Sequence, residues 1–343
     1  MRNKKPLIIV LGEPNSVFIE ILSKVLNKNS ITSKIKYPII LVGSEKLLLS
    51  QLKILKRKIK FNIINRYTSN TKLINSNIYL FNINYNFKKP FENISKKSQK
   101  YISNSFYQGI KFLNSGFADI IVNGPISKKH FLQKKYPGIT EYIFKKSKKK
   151  NLNNPVMLIF NNKLSVSPIT THIPVKKINK MIEKKTIINN ITAISNFYKS
   201  KLNKKPKIAI LGLNPHCETS SKFSEEQKII IPAINILKRK GLVVDGPYPA
   251  DTFFERKNVD KYDSVIGMYH DQVLTPFKTL FGFDASNITL GLPFLRMSVD
   301  HGPNENMLGK NRSNTKSLEN IFNFINSVKW KSFQKNHLDK TFF

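Results

Sequence analysis

Several short runs along the chain are almost purely apolar: PLIIVLG (6–12), ADIIVNGP (118–125), NPVMLIF (154–160), KLSVSPITTH (163–172), PKIAILGLNPH (206–216), SVIGMYHD (264–271) and NITLGLPFLRMSV (287–299). Runs without strict alternation fit strands covered on both faces. Between them lie stretches with apolar residues at helical spacing: SVFIEILSKVLNK (16–28), KKSQKYISNSFYQGIKFLN (96–114), VKKINKMIEKKTIINNITAISNFYKSKL (175–202) and SEEQKIIIPAINILKRKG (224–241). The last opens on a Ser-x-x-Gln capping pattern and closes on basic residues and a glycine. Pro232 is expected to kink it. Strands alternating with helices predict an α/β fold with a largely parallel sheet. No internal repeat is visible, and the Asn/Ile/Lys-rich stretch 60–90 has no readable period.

A chain of 343 residues is longer than one core usually serves, so two lobes are expected. The single cysteine, Cys217, rules out an internal disulfide and fits a reducing compartment. The N-terminal run PLIIVLG is broken at once by Glu13-Pro14, too soon for a signal peptide, and no run is long enough to span a bilayer. A soluble, cytoplasmic protein with no membrane partner is expected.

Charge is the unusual feature. Lys and Arg number 58 against 21 Asp and Glu, a formal net charge of +37. A nucleic-acid surface is one source of such an excess. Here, however, Lys rises together with Asn and Ile, as in NIINRYTSNTKLINSNIYLFNIN, and these three residues share AT-rich codons. Arg, the better group for planar bidentate contacts, is scarce. The excess is read as compositional drift, which leaves a positive field that draws anionic small molecules.

Three of the apolar runs finish on histidine, at His172, His216 and His270. Ligands in open α/β sheets sit beyond the carboxyl ends of strands, where these imidazoles can converge. Three neutral imidazoles suit a divalent metal such as zinc and leave a position open for substrate. Of the remaining histidines, His130, His301 and His337, only His301 in SVDHG comes close to this placement. Asp251 and Asp271 are candidates for proton transfer or for orienting a ligand. Lys278, Asn287 and Arg296 offer two cations and an amide, suited to a phosphate or carboxylate.

The motifs NGPISK (123–128), GLNPH (212–216), GPYPADTFF (246–254), MYHDQ (268–272) and NITLGLPFLRMSVDHG (287–302) closely resemble the 4-hydroxythreonine-4-phosphate dehydrogenase family of vitamin B6 synthesis. The resemblance is dense over 205–302 and thin before 118. It implies a fold like that of isocitrate and isopropylmalate dehydrogenases: two α/β/α lobes with a cleft active site at a homodimer interface. The lobes would be 1–125 with 285–343, and 126–284. Such enzymes bind NAD without a G-x-G-x-x-G motif, which this chain lacks. By the same resemblance the metal ligands fall on His172, His216 and His270, the third supplied by the partner subunit. Substrate contacts fall on Thr140, Lys278, Asn287 and Arg296, and cofactor contacts, weakly, on Gly302 and Gly309. The implied cofactors are NAD or NADP and a divalent metal (zinc, magnesium or cobalt). The implied reaction oxidises 4-phosphooxy-L-threonine to a 3-oxo acid that loses CO2 to give 3-amino-2-oxopropyl phosphate.

The pattern breaks in four places. The family's His-Thr pair at the substrate reads Ile139-Thr140. The N-terminal glycine-rich motif becomes GEPNSVFIE, the stretch after His216 becomes CETSSKFSEE, and the loop after Asp300-His301-Gly302 becomes PNENMLGKNRSN, with fewer glycines than the family has. Two other readings follow: a same-fold dehydrogenase for another phosphorylated hydroxy acid, or a basic nucleic-acid-binding homologue that has lost catalysis.

Overall fold

The computed structural model describes residues 4–65, 71–132, 136, 138–147, 154–218 and 222–328. Twelve strands form one sheet: β1 (Leu7–Val10), β2 (Ile39–Gly43), β3 (Asn62–Ile64), β4 (Ile78–Asn82), β5 (Ile120–Asn123), β6 (Val156–Phe160), β7 (Ser165–Thr170), β8 (Lys207–Leu211), β9 (Val243–Tyr248), β10 (Ser264–Tyr269), β11 (Ser286–Leu290) and β12 (Leu295–Val299). Their order is β3-β4-β2-β1-β5-β12-β11-β6-β7-β10-β8-β9. Pairing is parallel on both sides of the centre. The junctions β12-β11, β11-β6 and β6-β7 are antiparallel, so the two halves of the sheet run in opposite directions. No helix among the described residues is long and apolar enough to cross a membrane.

Several expectations are corrected. NITLGLPFLRMSV is not one strand but a hairpin, β11 and β12. Gly291 turns the chain with φ +83°, and Pro293 lacks the N–H a ladder needs. The 175–202 stretch breaks where Ile182 and Glu183 are extended, leaving helix Lys184–Phe197 as its main element. Pro232 does distort the helix, which runs without a break from a π-helical segment, Glu226–Ile230, into Ile231–Arg239; the wider turn just before the proline accommodates its ring and missing N–H. The capping pattern is real: Gln227 N donates to Ser224 Oγ at 3.3 Å.

The core explains where the site lies. On one sheet face Leu7, Ile9, Ile120, Val122, Leu295, Met297, Ile288, Leu158, Ile266, Met268, Ile208 and Ile210 join a single cluster under four helices, Phe18–Leu26, Lys184–Phe197, Ile231–Arg239 and Lys316–Ser327. The other face carries two separate clusters. Ile8, Val10, Ile40, Val42 and Ile121 pack under helix Gln99–Asn114. Ile159, Val166, Ala209, Leu211 and Val265 pack under helix His270–Phe281. Between them, on the same face, the alternation of β5, β12 and β11 presents Asn123, Arg296, Ser298, Asn287 and Thr289. These polar side chains form a seam between the two apolar clusters: Asn123, Arg296, Ser298 and Thr289 are buried, and the bonds from Arg296 to Asn123 and Thr289 avoid the cost of roughly 2–7 kcal/mol for each unpaired group.

Candidate active site

Arg296 is the centre of this seam. It is 1% exposed, and its neighbours on β12, Leu295 and Met297, point into the opposite core. Its Nε donates to Asn123 Oδ1 at 2.8 Å, and its Nη1 to Thr289 Oγ1 at 2.9 Å and Thr140 Oγ1 at 3.3 Å. Burial lowers its pKa to about 10, and Glu141 acts to raise it. A guanidinium held along one edge keeps a fixed plane and can present its remaining edge to an oxyanion. Asn287 Oδ1 is shut from solvent and has no hydrogen-bond partner among the described residues. Such an orphan signals a donor that arrives with a ligand or water.

Lys278, on helix His270–Phe281, does not stand alone: its Nζ lies 3.1 Å from Asp300 Oδ2, just past β12. Burial pushes the Asp300 carboxyl up while Lys278 pulls it down. His301 follows, with Nδ1 2.9 Å from Gly302 O and Nε2 buried and unpartnered among the described residues. Ile139 and Thr140 open helix Ile139–Lys146, and Ile139 packs against the apolar cluster that includes Phe106, Tyr142 and Phe294.

The three candidate metal histidines follow neighbouring parallel strands, β7, β10 and β8. None is itself a strand residue: His172 is two residues past β7, His216 lies in a turn past β8, and His270 opens the helix after β10. His172 and His270 face each other, ring centroids 5.7 Å apart. Lys128 Nζ lies 3.2 Å from His172 Nε2. An ammonium only donates, so that nitrogen carries the lone pair and Nδ1 carries the proton. Partial burial, then Lys128 and His270, hold the His172 imidazolium down to about 4, although the residue is exposed at the cleft mouth. His270 Nδ1 lies 2.7 Å from Asp271 Oδ1, which leaves its Nε2 free. His216 stands apart, its side chain 83% exposed and its Nε2 3.6 Å from Asp251 Oδ2. Among the described residues no three His, Cys, Asp or Glu side chains of one chain form a metal-holding group.

Some residues of the site gave no functional signal in the sequence. Gln272, in MYHDQ, is structural: its Oε1 accepts from Met268 N and its Nε2 donates to Gly212 O, each at 2.7 Å, tying β10 to the loop after β8. Asn123 and Thr289 brace Arg296; both lie in motifs that carry the family resemblance, NGPISK and NITLGLPFLRMSVDHG, but no role was read for either. Lys128 closes NGPISK, a motif noted without a role for its lysine. Of the cofactor candidates, Gly302 faces open space, and Gly309, at φ +70°, packs against the Phe91 ring. Their loop is anchored by Val17 N to Pro303 O and by Ile94 N to Glu305 Oε2. Residues 219–221 of the altered stretch after His216, and His337, lie outside the described residues.

The chain is similar to proteins of one family. The family model "Pyridoxal phosphate biosynthetic protein PdxA" matches residues 34–325. The 4-hydroxythreonine-4-phosphate dehydrogenase of Sulfurihydrogenibium sp. is 37% identical over 309 residues, 89% of this chain and 92% of that protein. The enzyme of the same name from Aquifex aeolicus is 33% identical, over 95% of this chain and 98% of its own. The crystal structure of the Klebsiella pneumoniae 4-hydroxythreonine-4-phosphate dehydrogenase superposes with a TM-score of 0.77 at 26% identity, covering 94% of this chain and 98% of that one. The chain belongs to the PdxA family, the 4-hydroxythreonine-4-phosphate dehydrogenases of pyridoxal phosphate biosynthesis.

Proposed function

We propose that the cleft over β5, β12 and β11 binds 4-phosphooxy-L-threonine and oxidises its secondary hydroxyl with NAD or NADP. The observation that carries this reading is the buried Arg296, braced by Asn123, Thr289 and Thr140 in a polar seam. Arg296, Thr140 and Asn287 would hold one anionic end of the substrate. Lys278, restrained by Asp300, would meet the other.

The donor set fits a divalent metal. His172 and His270 both have Nε2 free of a proton, and their rings lie 5.7 Å apart. Two imidazoles favour zinc or cobalt over magnesium. His216 would complete the set from the partner subunit of a homodimer, because within one chain it faces Asp251 rather than the other two. The sequence resemblance instead gives His270 as the donated ligand; the in-chain spacing of His172 and His270 favours His216 for that part. A bound ion would act as a Lewis acid on the substrate hydroxyl. Asp271 then orients His270, which leaves Asp251, 3.6 Å from His216 Nε2, as the candidate to receive a proton. Gly302 and Gly309 border the loop where the dinucleotide would lie. A bound NAD or NADP would supply the hydride acceptor, and the 3-oxo acid so formed would lose CO2 to give 3-amino-2-oxopropyl phosphate.

A turnover assay with 4-phosphooxy-threonine, NAD or NADP, and added zinc, cobalt or magnesium tests this by absorbance of the reduced cofactor. Metal-dependent reduction is expected. No reduction with any pairing, alongside turnover of another phosphorylated hydroxy acid, would favour the second reading. One observation supports that alternative: beside Thr140, where the family resemblance implies a histidine, this chain has the apolar Ile139, packed against the cluster of Phe106, Tyr142 and Phe294.

A further inference from the structure

Helix Ile139–Lys146 carries one carboxylate in its first turn, Glu141. Its Oε2 is shut off from solvent and has no hydrogen-bond partner among the described residues. A buried carboxylate oxygen left unmatched is costly, and marks a place where a donor is due. A Cβ built on Gly138 would lie 2.8 Å from Glu141 Oε2 and 3.8 Å from both Nδ1 and Cε1 of His172. The carboxylate and the imidazole edge therefore line one small gap, which exists because residue 138 has no side chain. Nδ1 of His172 carries the ring proton, since Nε2 faces the Lys128 ammonium. It makes no hydrogen bond among the described residues. An unspent donor and an unspent acceptor thus border the same space.

We propose that Glu141 is a positioning residue for His172: Oε2 takes the Nδ1–H and turns Nε2 toward a bound divalent cation. Asp271 already does this for His270, at 2.7 Å from its Nδ1. Carboxylates behind ligating histidines fix the tautomer and ring orientation and raise ligand basicity. Glu141 also acts on the buried Arg296 guanidinium, so one carboxylate adjoins the metal side and the substrate side of the cleft. The proposal rests on the reading of His172 as a metal ligand.

The test is cobalt binding to the metal-free protein, followed by calorimetry and by the visible absorption of the bound ion, with thermal melting as a fold control. Glu141→Leu is expected to weaken cobalt roughly 10- to 100-fold, the usual effect of losing such a partner. Glu141→Gln keeps an acceptor oxygen without the charge and should recover part of the loss. Gly138→Ala forces a methyl against Oε2, and should weaken cobalt through the same carboxylate, adding little in the double variant. If Glu141→Leu does not fold, Glu141→Gln and Gly138→Ala carry the test. Glu141 variants that bind cobalt as the wild type does, whatever their melting temperature, overturn the proposal. His172→Ala with undiminished cobalt binding overturns the metal-site reading and this one with it, whereas loss in His172→Ala alone overturns only the role of Glu141.

Discussion

His172 and His270, carried past the ends of the neighbouring parallel strands β7 and β10, face each other with ring centroids 5.7 Å apart. The Nε2 lone pair of His172 accepts from the Lys128 ammonium, 3.2 Å away, which a metal ion would have to displace, while Asp271 holds Nδ1 of His270 and leaves its Nε2 without a protein partner. Within one chain these two imidazoles come together and His216 stands apart from them, beside Asp251.

Subunit mixing reads this arrangement directly. Inactive His216→Ala and His270→Ala chains, mixed and exchanged, should recover activity, since one site of each mixed dimer is intact. Inactive His172→Ala and His270→Ala chains should not, because each mixed site then contains one damaged ligand of the in-chain pair. Recovery in the second mixture would assign His270 to the neighbour's site instead.

Metal stoichiometry gives a simpler check. His172→Ala, His216→Ala and His270→Ala should each abolish tight zinc or cobalt binding in the dimer while leaving circular dichroism unchanged. Unaltered stoichiometry in all three variants would remove the site.

Arg296→Lys should be far from conservative. Lysine cannot reach Asn123, Thr289 and Thr140 together, and it leaves buried acceptors unmatched. Loss of one or two charge-assisted hydrogen bonds, about 1.5–3 kcal/mol each, predicts a fall in kcat/KM of at least about ten- to a hundred-fold. A lower melting temperature should accompany it. Kinetics near wild type would mean the guanidinium does not meet substrate.

Ile139→His restores a polar group where the chain has an apolar one. If 4-phosphooxy-threonine contacts this point, kcat/KM should rise, by roughly ten- to a hundred-fold if a full charged hydrogen bond is gained. The wild-type rate should also fall more steeply with ionic strength, since it relies more on the diffuse positive field. A flat or lower kcat/KM would point to a substrate with an apolar group at that position.

Glu13 predicts a pH dependence of stability. It is 2% exposed, and burial raises its pKa from 4.5 to about 7, helped by Glu305 and opposed by Asn15 and Ser98. Between those pH values the folded chain keeps a proton that the unfolded chain has lost. Stability is therefore full below about pH 4.5 and declines as pH rises to 7, by roughly 3 kcal/mol from this group. Glu13→Gln should flatten the slope of melting temperature across that window and stabilise the protein at pH 8. An unchanged slope would show that the carboxyl is ionised in the fold.

The apolar runs showed where β1, β5, β6, β7, β8 and β10 lie, because those strands are covered on both faces and carry apolar or small, buried residues along most of their length. β3 and β4 were lost in a region where Asn, Ile and Lys recur for compositional reasons, so period carries no message there. The hairpin at Gly291 was hidden because β11 and β12 are equally apolar and the turn holds Leu292 and Phe294. Arg296 stood out as a charge inside a strand, but its braces did not, since Asn123 and Thr289 meet it only once β5, β12 and β11 are side by side. The pairing of His172 with His270 likewise depends on β10 lying next to β7, which the order of residues along the chain does not reveal.

The unbroken apolar layer beneath the cleft has a mechanical consequence. Both halves of the molecule are hydrogen-bonded into one sheet and share one core on its far side, so they cannot swing like a pair of jaws without tearing that layer. The seam that carries Arg296 and Asn287 is stiff. Compliance is left to the two separate clusters above it, under helices Gln99–Asn114 and His270–Phe281. Of the three candidate metal histidines only His270 rides on one of those helices, whereas His172 and His216 follow strands of the stiff plate itself, β7 and β8.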